Sequence, residues 1–206
     1  MPGLDDPDSR LPRPTFVAGA PSWLDHDLRH CSRCGGTLTC GPVAGDARER
    51  HHCPACGFVA YVNPRLVVTT LPVTDAGEVV LLRRAIPPGH GSWAQPGGFL
   101  EADETVLQGA VRETLEETGL IVEPTRIVGL YSRVGAAVVV AAYEARIVGG
   151  EMATTAESLE VRTFTVEDLP WSDIAFETTI WALRDWVGSV RPGLDVASLG
   201  RIDEGG

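Results

Sequence analysis

The chain has 206 residues, of which 44% are hydrophobic and 22% charged, enough for one catalytic domain with a small accessory module. A formal net charge of −11 argues against nucleic-acid binding through a broad basic surface and fits an acidic surface that aids solubility. It leaves room for a polyanionic substrate, because bound divalent cations reverse the local field.

Residues 1–28 are expected to form a flexible extension, since Pro2, Pro7, Pro12, Pro14 and Pro21 interrupt any periodic pattern. This stretch lacks the apolar core of a secretory signal, and no run approaches the roughly eighteen apolar residues of a membrane span. A cytoplasmic location, with no membrane partner, is the expectation.

Residues 29–62 form the next segment, and all five cysteines lie within it. Cys31-x2-Cys34 is followed after 18 residues by Cys53-x2-Cys56. Two residues between the thiols of each pair let a tight turn aim both at one tetrahedral metal, so the spacing predicts a structural zinc with all four positions filled. Gly35 and Gly57 follow the pairs and relieve backbone crowding. Disulfides are the competing reading, disfavoured without an export signal. Cys40 is left over as a buried or spare thiol, and His51 and His52 are weaker ligand candidates. So small a segment depends on its metal to fold.

Residues 63–190 read as the main domain. Leu66–Thr74 and Glu78–Arg84 are strand-like, with Asp75-Ala76-Gly77 as a hairpin turn. A Gly/Pro-rich loop runs from Pro87 to Gly98. A helix is expected from Asp103, as N-cap, to Thr118, with Gly119 ending it. Ile121–Tyr131, Ala136–Ile147 and Glu160–Thr165 are further strands. Ser172 could cap a final helix through about Trp186, before a flexible tail at 191–206. The order implies an α/β or α+β fold with a mixed sheet between helices.

The central helix carries the chemistry. At about 100° per residue, with Glu113 at zero, Glu117 falls at about 40° and Glu116 at about −60°. The three carboxylates share one arc, and Leu107, Val111, Thr114 and Leu115 fall roughly opposite, available to pack on a sheet. A solvated acidic face explains this poorly. Glu113 and Glu117 are like charges one turn apart, and no Lys or Arg lies four residues beyond any of the three. Glu116 and Glu117 also stand at the helix C-terminus, where the dipole disfavours anions. A hard divalent cation would offset the cluster.

The run from Gly98 to Leu120 resembles the Nudix box. Gly98, Glu104, Arg112, Glu113, Glu116, Glu117, Gly119 and Leu120 fit it, and Thr114 departs from it where an aliphatic residue is usual. The resemblance implies a Nudix α/β/α sandwich around a mixed sheet, preceded by a zinc ribbon. It implies Mg²⁺ or Mn²⁺ held by Glu113, Glu116 and Glu117, with Arg112 and Glu104 orienting those carboxylates. The carbonyl of Gly97 or Gly98 is a candidate ligand. Outside the box, Glu157 and Glu160 are candidates for a further carboxylate, with Glu160 favoured because it starts a strand.

The likeness extends through Ser92–Gly98, Cys53–Pro64, Glu157–Glu160 and Leu169–Phe176. It resembles a zinc-ribbon Nudix subgroup, some of whose members cleave FAD or ADP-ribose to AMP plus X-phosphate. The NADH pyrophosphatases also carry a ribbon, but their Ser-Gln-Pro-Trp-Pro-Phe-Pro array is absent from Val122–Val140. Trp93 and Tyr131 could stack on a base or flavin, or simply pack in the core. Arg83, Arg84 and Arg133 could meet phosphates, or remain surface cations. The expected partner is a small-molecule nucleotide, with no nucleic acid and with a homodimer left open. Two other readings stand beside hydrolysis. One is a sensor that binds a nucleotide without cleaving it. The other is a ribbon that binds nucleic acid or protein through Arg33, Arg48 and Arg50, although Asp46 and Glu49 dilute that charge.

Overall fold

The computed structural model describes residues 28–132 and 137–194. Of the expected extension only Leu28, and of the expected tail only residues 191–194, fall among these residues, and Arg133 lies outside them. The chain divides into two units, with the boundary between Asn63 and Pro64.

The first unit is a three-stranded sheet in the order β1 (Thr39–Pro42), β2 (Glu49–His52), β3 (Val59–Ala60). Buried Cys31, Leu38 and Cys53 form its core, with Leu28, Cys56, Phe58 and Ala60 packed against them. So few apolar groups make a poor core by themselves.

The second unit contains β4 (Arg65–Val73), β5 (Val79–Arg84), β6 (Trp93–Ala94), β7 (Gly97–Phe99), α1 (Val106–Thr118), β8 (Leu120–Ser132), β9 (Val138–Gly150), β10 (Ser158–Phe164), a 3-10 turn at Trp171–Asp173 and α2 (Glu177–Val190). Five strands lie in the order β10-β5-β4-β9-β8, with β6 on β5 and β7 on β4. β4 runs parallel to β9, and the other pairings are antiparallel. The sheet is therefore mixed, as expected.

Helices cover both faces. Val79–Leu82 is a continuous buried apolar run because neither face of β5 meets water. Strand alternation sends Leu71, Val79 and Leu81 to one face, where they pack with Leu183, Trp186 and Val187 of α2. Val80 points the other way, into a cluster with Leu120, Val122 and Ala145 that Val111 of α1 joins.

Two helix starts differ from expectation. Helix α1 is capped by Thr105 and not Asp103: the Thr105 hydroxyl accepts from the Gln108 N–H, and the Gln108 side chain accepts from the Thr105 N–H. The Thr-x-x-Gln spacing of a capping box was the signal for this. The last helix starts at Glu177 after the 3-10 turn, so Ser172 caps nothing.

The face of α1 that meets the sheet is also narrower than expected. Leu107 and Leu115 remain about half exposed, while Ala110, Thr114 and Thr118 are fully buried. Thr114, the departure from the Nudix pattern, donates to the Ala110 carbonyl at 2.7 Å and lies 2.6 Å from the Thr70 hydroxyl of β4. The substitution therefore replaces an aliphatic contact with a buried hydroxyl pair. Thr114→Val should cost about 1–3 kcal/mol by orphaning the Thr70 hydroxyl. Adding Thr70→Val should recover most of that, as measured by urea unfolding. A double variant no more stable than the single would show that the loss does not come from an orphaned Thr70 hydroxyl.

Candidate active site and zinc centre

The ribbon centre is built from two like turns. The Gly35 N–H donates to the Cys31 carbonyl and the Gly57 N–H to the Cys53 carbonyl, both at 2.8 Å. Both glycines take left-handed φ values, 74° and 73°, which a side chain would oppose. The turns bring the four thiol sulfurs within 4.8 Å of one another. Cys31 Sγ lies 3.7 Å from Cys56 Sγ, and Cys34 Sγ lies 3.5 Å from Cys53 Sγ. Tetrahedral bonds of about 2.3 Å to zinc require sulfurs about 3.8 Å apart, so the donor set fits that ion.

His51 and His52 stand on β2 outside this cluster, and Cys40 is an exposed thiol on β1. Metal analysis of dialysed protein should find about one zinc per chain; absence of zinc would contradict the assignment. Cys31→Ser should unfold the ribbon while the larger sheet keeps its far-UV and near-UV circular dichroism.

The second centre lies at the C-terminal half of α1. Glu113, Glu116 and Glu117 line a cavity of about 220 Å³ with Thr155, Ala156 and Glu157. The loop before the helix reaches the same place. Gly97 donates its N–H to Glu117 Oε2 at 2.8 Å. A Cβ at Gly97 would stand 2.3 Å from the Val68 carbonyl oxygen, and one at Gly98 would stand 2.5 Å from the Glu113 carboxylate. The two glycines thus let β7 lie against β4 and Glu113 at once.

Arg112 ties the carboxylates together. Its Nε and Nη2 donate to the two Glu104 oxygens at 2.9 and 2.6 Å, and its Nη1 reaches Glu113 at 2.7 Å and Glu116 at 3.1 Å. Its Nη2 also donates to the Phe99 carbonyl. The acidic cluster is therefore partly offset, by a cation one turn before Glu116 and not after it. The orienting role that the Nudix resemblance implied for Arg112 and Glu104 matches these contacts, whereas the count of cations beyond the glutamates left Arg112 out.

The electrostatics differ sharply within the cluster. The Arg112 fork and the Glu101 N–H hold the Glu104 carboxyl down at about 2. Burial pushes Glu113 up from its ordinary value, despite Arg112. Burial pushes Glu117 up to about 7, and the charges of Glu113 and Glu157 add to that, against the Gly97 N–H and Arg84. Such a set of partly buried like charges is stabilised by a divalent cation with oxygen ligands.

The expected role of Glu160 is corrected. Val161 packs into the cluster beneath α1, whereas Phe164 packs against α2. By alternation Glu160 faces the α2 side, away from the three glutamates. Glu157, in the turn before β10, lines the cavity instead. Nothing local in Glu160–Phe164 fixed this direction, because the apolar Val161 and Phe164 face opposite sides of the sheet.

The two aromatic candidates are also displaced from any stacking role. Trp93 is 6% exposed and packs edge-on to Phe164 at 4.8 Å. Tyr131 is 8% exposed and donates its hydroxyl to Asp185 at 2.7 Å. Both serve the core. The guanidinium of Arg83 donates to the Gly91 carbonyl and that of Arg84 to the Pro88 carbonyl.

The sequence matches the NUDIX domain family over residues 63–185 and the Nudix N-terminal zinc-ribbon family over residues 29–62. This chain belongs to the Nudix family. A Nudix hydrolase from Nitrosomonas europaea of known crystal structure is 36% identical, with a TM-score of 0.74 over 80% of this chain and 92% of that one. An ADP-ribose pyrophosphatase of Methanocaldococcus jannaschii is 32% identical over 53% of this chain and 67% of that protein. An NAD-capped RNA hydrolase, NudC, of Stutzerimonas stutzeri is 30% identical over 72% of this chain and 52% of that protein. The chain thus spans about half to two thirds of the length of these curated relatives. Among the described residues, no helix is long and apolar enough to cross a membrane.

Proposed function

We propose that this Nudix chain is a divalent-metal-dependent pyrophosphohydrolase that cleaves a nucleoside diphosphate linked to a second group. The observation that carries this reading is the convergence of Glu113, Glu116, Glu117 and Glu157 on one cavity. Glu113, Glu116 and Glu117 would hold Mg²⁺ or Mn²⁺, and the Gly97 carbonyl is a further candidate. When bound, such a cation neutralises pyrophosphate oxygens and lowers the pKa of nearby water.

The side chains do the rest. Arg112, fixed by Glu104, holds Glu113 and Glu116 in place and keeps them from swinging apart. The Gly97 N–H orients Glu117. Glu157 supplies a carboxylate from outside the helix, as a ligand or as acceptor of the proton lost by the attacking water. Water adds across the P–O–P link: its oxygen joins one phosphorus, the bridging oxygen leaves with the other, and the proton passes through a carboxylate to solvent.

The proposed substrate is of the ADP-X kind, with ADP-ribose and FAD cleaved to AMP plus X-phosphate. The relative named as an ADP-ribose pyrophosphatase supports this, as does the resemblance of Glu157–Phe176 to the FAD- and ADP-ribose-cleaving subgroup. Trp93 and Tyr131 lend it no support, being core residues. An NAD-linked substrate is the second reading, favoured by the NudC relative matched over 72% of this chain and disfavoured by the missing proline-rich array.

The test is a side-by-side kcat/KM comparison of ADP-ribose, FAD, NADH and nucleoside triphosphates with Mg²⁺ and with Mn²⁺. ADP-ribose or FAD should lead. Preference for a triphosphate or NADH by tenfold, about 1.4 kcal/mol of transition-state discrimination, would overturn the substrate assignment and leave the hydrolytic chemistry standing. A bound but uncleaved nucleotide would instead favour the sensor.

A further inference from the structure

We infer that Ser158 is a positioning residue that locks the Glu157 turn to the catalytic helix, an inference that rests on the reading of Glu157 given above. Ser158 is 2% exposed, and it is the buried polar residue that joins the two sources of carboxylate. Its hydroxyl donates to the Glu117 carbonyl at 2.9 Å and accepts from the Thr155 N–H at 2.9 Å. Thr155 in turn accepts the Glu157 N–H on its own hydroxyl at 3.1 Å. The Glu157 carbonyl receives the Ala85 N–H at 2.8 Å. Both backbone polar groups of Glu157 are therefore committed, and the chain of bonds leads directly to the backbone of Glu117.

The chemistry of this node is specific. The Glu117 carbonyl lies in the last turn of α1, where carbonyls lack helical partners. One hydroxyl satisfies that carbonyl and, with its oxygen lone pair, a turn N–H. Alanine can do neither. An amide or carboxylate at position 158 would be too large for a site buried to this degree. A second tie, from the Ala153 N–H to the Thr118 carbonyl at 2.9 Å, holds the start of the same turn. The turn is thus fastened to α1 by a backbone bond at one end and by Ser158 at the other. Loss of Ser158 removes the tie between α1 and the end that carries Glu157, which then keeps only its bonds to the Thr155 hydroxyl and from the Ala85 N–H. Because the fastening is to the backbone of Glu117, Ser158 holds the two backbones that carry the carboxylates together against the repulsion of their charges.

The experiment is a double-mutant cycle of Ser158→Ala and Glu157→Gln, read by Mn²⁺ affinity from the free-ion electron paramagnetic resonance signal, by kcat and KM, and by hydrogen exchange of the metal-free protein over residues 150–158. Ser158→Ala should weaken Mn²⁺ binding or lower kcat by about tenfold, the usual effect of removing a group that supports a metal ligand. It should also speed exchange in that peptide, and Thr155→Ser should behave as the parent. In the Glu157→Gln background Ser158→Ala should add less than about twofold, because coupled residues are non-additive. An equal loss in both backgrounds would show that Ser158 acts only on the fold. Normal Mn²⁺ affinity and kcat in Ser158→Ala, beside a defective Glu157→Gln, would overturn this inference alone. A normal Glu157→Gln would remove both this inference and the assignment of Glu157.

Discussion

Glu117→Gln should lower kcat by at least about a hundredfold while leaving unchanged, or raising, the melting temperature of the metal-free protein at pH 8. The two outcomes have one cause. Glu117 is 5% exposed, and its folded pKa is raised from 4.5 to about 7, first by burial and then by the neighbouring carboxylates. An acid with a raised folded pKa binds a proton on folding, so its ionisation opposes the fold. The penalty is absent below about 4.5, grows across the interval and is complete above about 7. Its size is on the order of 3 kcal/mol.

Glutamine keeps an oxygen for the Gly97 N–H and carries no charge, so the penalty disappears together with the metal-ligand charge. The same linkage makes Mn²⁺ affinity fall as pH drops below about 7, where binding must displace a proton. That dependence should weaken in the variant, where only the raised acid of Glu113 remains. Near-normal turnover by Glu117→Gln, or a fall in its melting temperature of several degrees, would contradict the assignment.

Trp93→Ala should destabilise the protein by about 3–5 kcal/mol, the usual cost of emptying an aromatic core site. The ring packs edge-on against Phe164 in the apolar cluster that also holds Leu81 and Leu183, and the Trp93 carbonyl receives the Ala175 N–H at 2.8 Å. The backbone contact survives the substitution and the cavity does not refill. Marginal stabilities of about 5–15 kcal/mol make this a large fraction of the whole. Urea unfolding measures the loss. The KM for an ADP-X substrate, taken at a temperature where the variant is folded, should change less than about threefold. A raised KM with unchanged stability would mean that the indole faces substrate after all.

Much of this was legible in the sequence because the relevant constraints are local. The Cys-x2-Cys pairs need only a turn, and the three glutamates need only helical periodicity, so neither depends on distant chain. The apolar run of β5 likewise announced a strand. What was missed depends on tertiary partners. Glu160 looked firmer than Glu157 because it opens a strand, but only the inward position of Val161 decides which way that strand faces. Leu107 and Leu115 fit an apolar stripe, yet the sheet reaches only the narrower face of Ala110, Thr114 and Thr118. Trp93 and Tyr131 carry the right chemistry for stacking on a base, and nothing local says that Phe164 and Asp185 already occupy them. Thr114 read only as a departure from an aliphatic position because its partner, Thr70, lies 44 residues earlier.

The central claim is hydrolysis of a pyrophosphate link at the Glu113, Glu116, Glu117 and Glu157 cavity. The most direct measurement is product analysis after incubating zinc-replete protein with ADP-ribose and Mg²⁺ in ¹⁸O-labelled water. AMP and ribose 5-phosphate should appear in equal amounts, with one labelled oxygen on one of the two products and at least about a hundredfold less product from Glu117→Gln. Intact ADP-ribose after many equivalents of time, and the same for FAD, NADH and nucleoside triphosphates, would contradict the account. So would turnover that Glu117→Gln left undiminished.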